Sequence, residues 1–224
     1  MKLGLLRTNK PQTLYSTDSY VVSLAGNSAG TGIVSGHLDG SIYRYYFPSS
    51  NMGGSAYTKV CTHPSPPYAL SWGKSIAAAG ADKQVIFYAR DGGVERSFEY
   101  GQDDGIGEDG SANAKVKCKE FTVAAFNATG DAVVMGNFDS FYTFSFDKKM
   151  DRWEQKEVTV VQNMYTVTAL SWRPNGGNLG VGTLCGLVDV WEACVRRERV
   201  KGFEVKYVSP SQVREIAEAR KKKD

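Results

Sequence analysis

Residues 165–192, YTVTALSWRPNGGNLGVGTLCGLVDVWE, read as three short β-strands joined by two tight turns. In the first strand Val167, Ala169 and the Leu170-Ser171-Trp172 end alternate with polar Thr166, Thr168 and Ser171, the period of a half-buried strand. Arg173-Pro174-Asn175-Gly176-Gly177 follows as a turn, because proline presets φ and Asn-Gly-Gly adopts positive φ cheaply. Residues 179–182 make the second strand, 183–186 the second turn and 187–191 the third strand.

The pattern recurs along the chain. Leu70-Ser71-Trp72, Ala77-Ala78-Ala79-Gly80, Asp82 and Val85-Ile86-Phe87-Tyr88 form one copy. Val21-Val22-Ser23-Leu24, Gly36-His37-Leu38-Asp39-Gly40 and residues 42–47 form another, and residues 121–126, 133–136, Asp139 and 141–146 a third. The glycines closing the second strands, Gly36, Gly80, Gly136 and Gly182, lie 44, 56 and 46 residues apart. Two spacings match the period of four-stranded propeller blades, and the 56 marks a blade with an insertion.

The frame supports a folded repeat domain. In 224 residues, 42% hydrophobic and 12% aromatic content argues for a packed core. No apolar run approaches the length of a bilayer span, and MKLGLLRTNKPQ lacks a signal-peptide core, so a soluble intracellular protein is expected. Of the net charge of +3, +2 resides in residues 214–224, where five basic residues meet three acidic ones. The body is therefore close to neutral and has no basic stripe for nucleic acid. Cys61, Cys118, Cys185 and Cys194 show no paired ligand spacing, and only His37 and His63 could assist them, so no metal site is expected.

In chain order, residues 1–17 read as a partial blade, with strands at 2–7 and 12–17. Residues 18–210 hold about four blades. Their strands are expected at 20–24, 32–36, 41–47 and 57–63; at 68–72, 75–80, 84–89 and 94–100; at 121–126, 131–136, 141–146 and 155–161; and, after the opening stretch, at 203–208. Residues 101–114, GQDDGIGEDGSANA, are a polar insert, and 211–224 a charged, helix-favouring tail. The fold class expected is all-β, an incomplete propeller of about four blades.

Several segments carry a resemblance. SYVVSL, GIVSGHLDGSI, RYYF, HPSPPYALSW, IAAAGADK, MYTVTALSW, VGTLCG and GFEVKYVSPSQV resemble WD40 repeats of the intraflagellar transport protein 172 family, over roughly residues 5–213. Members of that family are large peripheral subunits of ciliary transport complex B, with WD40 propellers at the N-terminal end and helical repeats beyond. The resemblance departs at Arg214, so a fragment or truncated gene product is expected. It implies a non-enzymatic scaffold acting in cilium assembly and transport, with other complex B subunits as partners. Localisation would be the cilium or flagellum and basal body, on the cytoplasmic side, with membrane contact indirect or absent. The alternative is a WD40 adaptor of a vesicle coat or signalling complex outside cilia.

WD repeats often place a histidine nine residues before the end of the first strand, where it meets an aspartate in the second turn. His63 stands nine before Trp72, and Asp82 occupies that turn, so the two should approach to about 2.7–3.2 Å. Thr17, Lys117 and Asn163 hold the same offset elsewhere, leaving one blade able to form the pair. Asp39, Asp82 and Asp139 are the turn aspartates, and Trp191-Glu192 stands where the WD dipeptide belongs. These are structural residues, since a buried turn must satisfy its polar groups. No catalytic residue or cofactor is expected. Residues 26–30 match G-x-S-x-G, but in a hairpin rather than a strand-to-helix turn. Residues 105–110 match G-x-G-x-x-G, without a preceding strand or following helix, and four nearby carboxylates would repel a pyrophosphate. Those carboxylates lack the ligand order of a calcium loop.

Overall fold

The computed structural model describes residues 1–5, 10–47, 57–100, 120–138, 140–160, 166–195 and 203–208. Among these residues all regular structure is strand. A hairpin of β1 (Lys2–Leu5) and β2 (Lys10–Thr13) precedes four antiparallel sheets, each four strands wide. The first sheet holds β3 (Val21–Gly26), β4 (Gly32–His37), β5 (Ser41–Tyr46) and β6 (Tyr57–Thr62). The second holds β7 (Ala69–Trp72), β8 (Ile76–Ala79), β9 (Gln84–Tyr88) and β10 (Val94–Glu99). The third holds β11 (Val123–Phe126), β12 (Ala132–Gly136), β13 (Ser140–Asp147) and β14 (Arg152–Val160). The fourth holds β15 (Val167–Trp172), β16 (Asn178–Thr183), β17 (Val188–Val195) and β18 (Phe203–Val208). The insert at 101–114 and the tail at 211–224 lie outside the described residues.

Strand alternation decides how the sheets stack. In the second sheet, Leu70, Trp72, Ile76, Ala78, Ile86 and Tyr88 face the first sheet, joining Val34 and Ile42 in one buried cluster. Their neighbours Ala69, Ala77, Ala79, Val85 and Phe87 face the third sheet, meeting Phe121, Val133, Met135, Phe144 and Trp153. The other face of the third sheet, with Val134 and Phe141, meets Val167, Leu179, Val181 and Trp191 of the fourth. Each junction is an apolar layer between adjacent sheets, where a single large apolar side chain contributes about 1.5–3 kcal/mol. The result is an incomplete, unclosed β-propeller with its blades in chain order.

Burial of the innermost strands records that incompleteness. All four residues of β7 are buried and all four of β11 are half-buried, whereas β3 and β15 each carry several exposed residues. The closing glycines show why the repeat needs them. A Cβ on Gly36 would come within 2.6 Å of the Pro67 ring, and one on Gly136 within 2.7 Å of a Val167 methyl, each on the following sheet. Gly182 has no such neighbour among the described residues; its nearest contact would be Ala169 of its own sheet, at 3.4 Å.

Two strand boundaries differ from expectation for identifiable reasons. β2 spans Lys10–Thr13 rather than 12–17, because the chain leaves the ladder and Tyr15 packs on the first sheet, stacked on Tyr57 at 5.2 Å. β14 begins at Arg152 rather than at 155, because Trp153 turns into the second-to-third junction.

Candidate functional site

His63 and Asp82 are brought together where the entry to β7 passes the β8–β9 turn. The imidazole is 1% exposed, with Nε2 3.5 Å from Asp82 Oδ2 and Nδ1 3.1 Å from the Tyr88 hydroxyl. The separation from Asp82 is longer than the hydrogen-bond range expected from sequence. Ser65 Oγ donates to Asp82 Oδ1 at 2.7 Å and accepts weakly from the Asp82 N–H at 3.4 Å, fixing the carboxylate. Burial pushes the His63 pKa down, and the Asp82 charge offsets this only in part. A neutral ring with its proton on Nε2 fits both neighbours, since Nδ1 then accepts from the tyrosine. Gly40 touches the same place: its φ is +83°, and a Cβ there would meet the His63 carbonyl oxygen at 2.3 Å.

Asp39, the corresponding turn residue of the first sheet, behaves differently. Its Oδ1 accepts from Ser41 N–H and its Oδ2 from Ser41 Oγ, both at 3.0 Å, so it caps its own turn. The Ser41 backbone N–H holds this exposed carboxyl below its ordinary range. The buried histidine of this sheet is His37, which the offset rule passes over because it lies within β4. Its Nδ1 is 3.0 Å from the Ser19 carbonyl and 3.2 Å from Thr17 Oγ1, and its Nε2 is 2.9 Å from Ser35 Oγ. The Tyr15 hydroxyl continues the chain to Ser35 at 2.5 Å. A carbonyl accepts only, so Nδ1 carries the proton and Nε2 accepts from Ser35. The signal in the sequence is the place of His37 directly after the closing glycine, Gly36.

Asp139 lies outside the described residues; beside it, buried Asn137 accepts the Ser140 N–H through Oδ1 at 3.0 Å. Trp191 is a packing residue, its ring edge-on to Phe141 across the third-to-fourth junction at 5.4 Å. Glu192 is half-buried and lies opposite Asn178 and Lys206 in the fourth sheet. Residues 26–30 form the β3–β4 hairpin turn, where Asn27 Oδ1 accepts from Thr31 N–H, which is no nucleophile elbow. Residues 105–110 lie outside the described residues. Among the described residues no group of three or more metal-ligating side chains converges, and no helix is long and apolar enough to cross a membrane.

A groove of about 430 Å³ opens where the four innermost strands end, lined by Asn27, Trp72, Asn127, Trp172 and Arg173.

No protein-family model matches the chain. Named relatives do. Intraflagellar transport protein 172 homolog of Danio rerio is 43% identical over 209 residues, 92% of this chain and 11% of the relative. Intraflagellar transport protein 172 of Chlamydomonas reinhardtii is 40% identical over 216 residues, 95% of this chain and 12% of the relative. The homolog of Homo sapiens is 41% identical over 215 residues, again 95% and 12%. The chain matches a fragment of intraflagellar transport protein 172. It spans about one-eighth of the length of these relatives. Across that fragment of intraflagellar transport protein 172 run all four sheets, so the match covers the repeat architecture as a whole.

Proposed function

We propose that the chain is a non-enzymatic interaction module of a ciliary intraflagellar transport subunit, contributing to cilium assembly and transport. The observation that carries this reading is the identity of 40–43% over at least 92% of the chain with proteins named for intraflagellar transport. Its partners on this reading are other complex B subunits, and its place is the cytoplasmic side of the cilium, flagellum and basal body. The architecture supports a scaffold: Ser65 holds the Asp82 carboxylate beside buried His63, and His37 ties Ser35 of its own strand to the Thr17–Ser19 segment that enters the first sheet. In this reading the His63–Asp82 pair has a structural role, holding the entry of the second sheet against its turn.

The test is quantitative affinity purification of the tagged chain from ciliated cells. Enrichment of complex B subunits over the same cells expressing an unrelated propeller is expected. Enrichment of vesicle-coat or signalling proteins instead would overturn the assignment.

A further inference from the structure

Pro64, Ser65, Pro66 and Pro67 join β6 to β7 and belong to no ladder. The three prolines remove three backbone donors, and Pro66 keeps Ser65 out of helical backbone. Pro64 is exposed, Ser65 and Pro66 are half-buried, and Tyr68 is 43% exposed, so the run lies at the surface. A serine followed by proline is the acceptor pattern of proline-directed protein kinases. The chain has one other, Ser209-Pro210, outside the described residues.

The Ser65 hydroxyl clasps this connection to the β8–β9 turn. Its Oγ donates to Asp82 Oδ1 at 2.7 Å and lies 3.4 Å from the Asp82 nitrogen. On the side of Gly80 there is no space, since a Cβ there would meet Ser65 Oγ at 2.5 Å and the Pro66 carbonyl oxygen at 2.3 Å. A phosphoryl group, larger than a methyl, must turn outward and carry Oγ away from Asp82. Esterified, that oxygen has no proton to donate. It would also bring a charge of about −1.5 to −2 at pH 7 beside the Asp82 carboxylate, and like charges at this range repel. Among the described residues the ion-pair partner of Asp82 is His63, at 3.5 Å, and no Lys or Arg stands ready to bridge carboxylate and phosphate.

We propose that Ser65 is a phosphoacceptor for a proline-directed serine/threonine kinase, and that its phosphorylation releases the entry of the second sheet from the β8–β9 turn. In the transfer, Ser65 Oγ bonds to the γ-phosphorus of ATP as the bond to the bridging oxygen breaks, and ADP leaves. The hydroxyl proton passes to the carboxylate base of the kinase. The product is a local switch: a hydrogen bond that holds two segments together becomes a repulsion between them. Regulation of this kind does not depend on the ciliary assignment.

The test incubates the full 224-residue chain with ATP and a purified proline-directed kinase and maps the phosphate by fragment mass spectrometry, which separates Ser65 from Ser209. Phosphate on Ser65 is expected in the folded chain and is absent at that position from Ser65→Ala. Hydrogen exchange of the phosphorylated chain should then be roughly tenfold faster at the amides of His63, Ser65 and Asp82, with β12 unchanged. Ser65→Ala, which loses the hydroxyl without gaining charge, should show a smaller increase at the same amides. No phosphate on Ser65 of the folded chain, whether or not a peptide of residues 61–70 is modified, would overturn the proposal. So would phosphorylated Ser65 with unchanged exchange at Asp82, or with no more exchange there than in Ser65→Ala.

Discussion

The indole of Trp153 lies flat on the ring of Phe87, with centroids 4.3 Å apart and 12° between planes, across the junction of the second and third sheets. Its N–H donates to Ser75 Oγ at 2.9 Å and lies 3.2 Å from Glu95 Oε2, so one side chain closes both the apolar and polar layers of that junction. Trp172 repeats the theme one junction later, donating its indole N–H to the Ala125 carbonyl at 3.0 Å. Each sheet is pinned to the one before it.

Trp153→Ala should therefore cost about 3–5 kcal/mol, as for other large aromatic truncations in a packed layer. Ser75→Ala should cost about 1 kcal/mol, because the indole N–H and the Glu95 carboxylate lose the hydroxyl they share and keep only each other. Urea unfolding checks both, and a Trp153→Ala midpoint within error of wild type would show that the junction does not stabilise the stack.

Stability should also depend on pH through His63. Its pKa is lowered in the fold, so the unfolded chain binds the proton more readily. The stabilisation is present in full above the unfolded value of about 6.5 and is lost as pH falls from there toward the folded value. His63→Gln should flatten that window in a series of urea midpoints between pH 7.5 and pH 5, each taken to within about 0.1 pH unit. A wild-type curve that gained stability on acidification there would contradict the neutral, buried ring.

His63→Ala should cost about 1–3 kcal/mol, because Tyr88 OH and Asp82 Oδ2 lose the group they face inside the sheet. Tyr15→Phe should cost about 1 kcal/mol by removing the outer link of the Tyr15–Ser35–His37 chain. Equal urea midpoints for wild type and both variants would mean that these networks are dispensable.

The sequence made the sheets visible because the inward residues alternate and the closing glycines repeat. β18, for example, spans the expected residues 203–208. It hid what depends on contacts between sheets. Trp153 follows the polar turn Asp147-Lys148-Lys149-Met150-Asp151, in which Asp151 takes a φ of +49°, so no apolar alternation announces that β14 has begun. Asp39 and Asp82 look equivalent by turn position, but Thr17 stands where the first sheet would need a histidine, and the Asp39 carboxylate instead caps its own turn through Ser41. His37 escaped because the offset rule looks before the first strand, whereas this ring comes from the second.

The glycines give a sharper contrast between a covered and an uncovered sheet. Gly136→Ala would drive a methyl to 2.7 Å from Val167, whereas Gly182→Ala meets, among the described residues, Ala169 at 3.4 Å. Gly136→Ala should cost about 1–3 kcal/mol by overpacking, and Gly182→Ala no more than about 0.5 kcal/mol. Equal losses at the two positions, measured in the 224-residue chain, would contradict the difference in cover.

Native-state hydrogen exchange, read strand by strand, tests the open stack of four pinned sheets most directly. The amides of β7, β8 and β12, buried between neighbouring sheets, should exchange only through global unfolding, while β3 and β15 open locally and exchange faster. Uniform protection across β3, β7, β11 and β15 would contradict the account, because it would mean that the first and fourth sheets are covered as fully as the two between them.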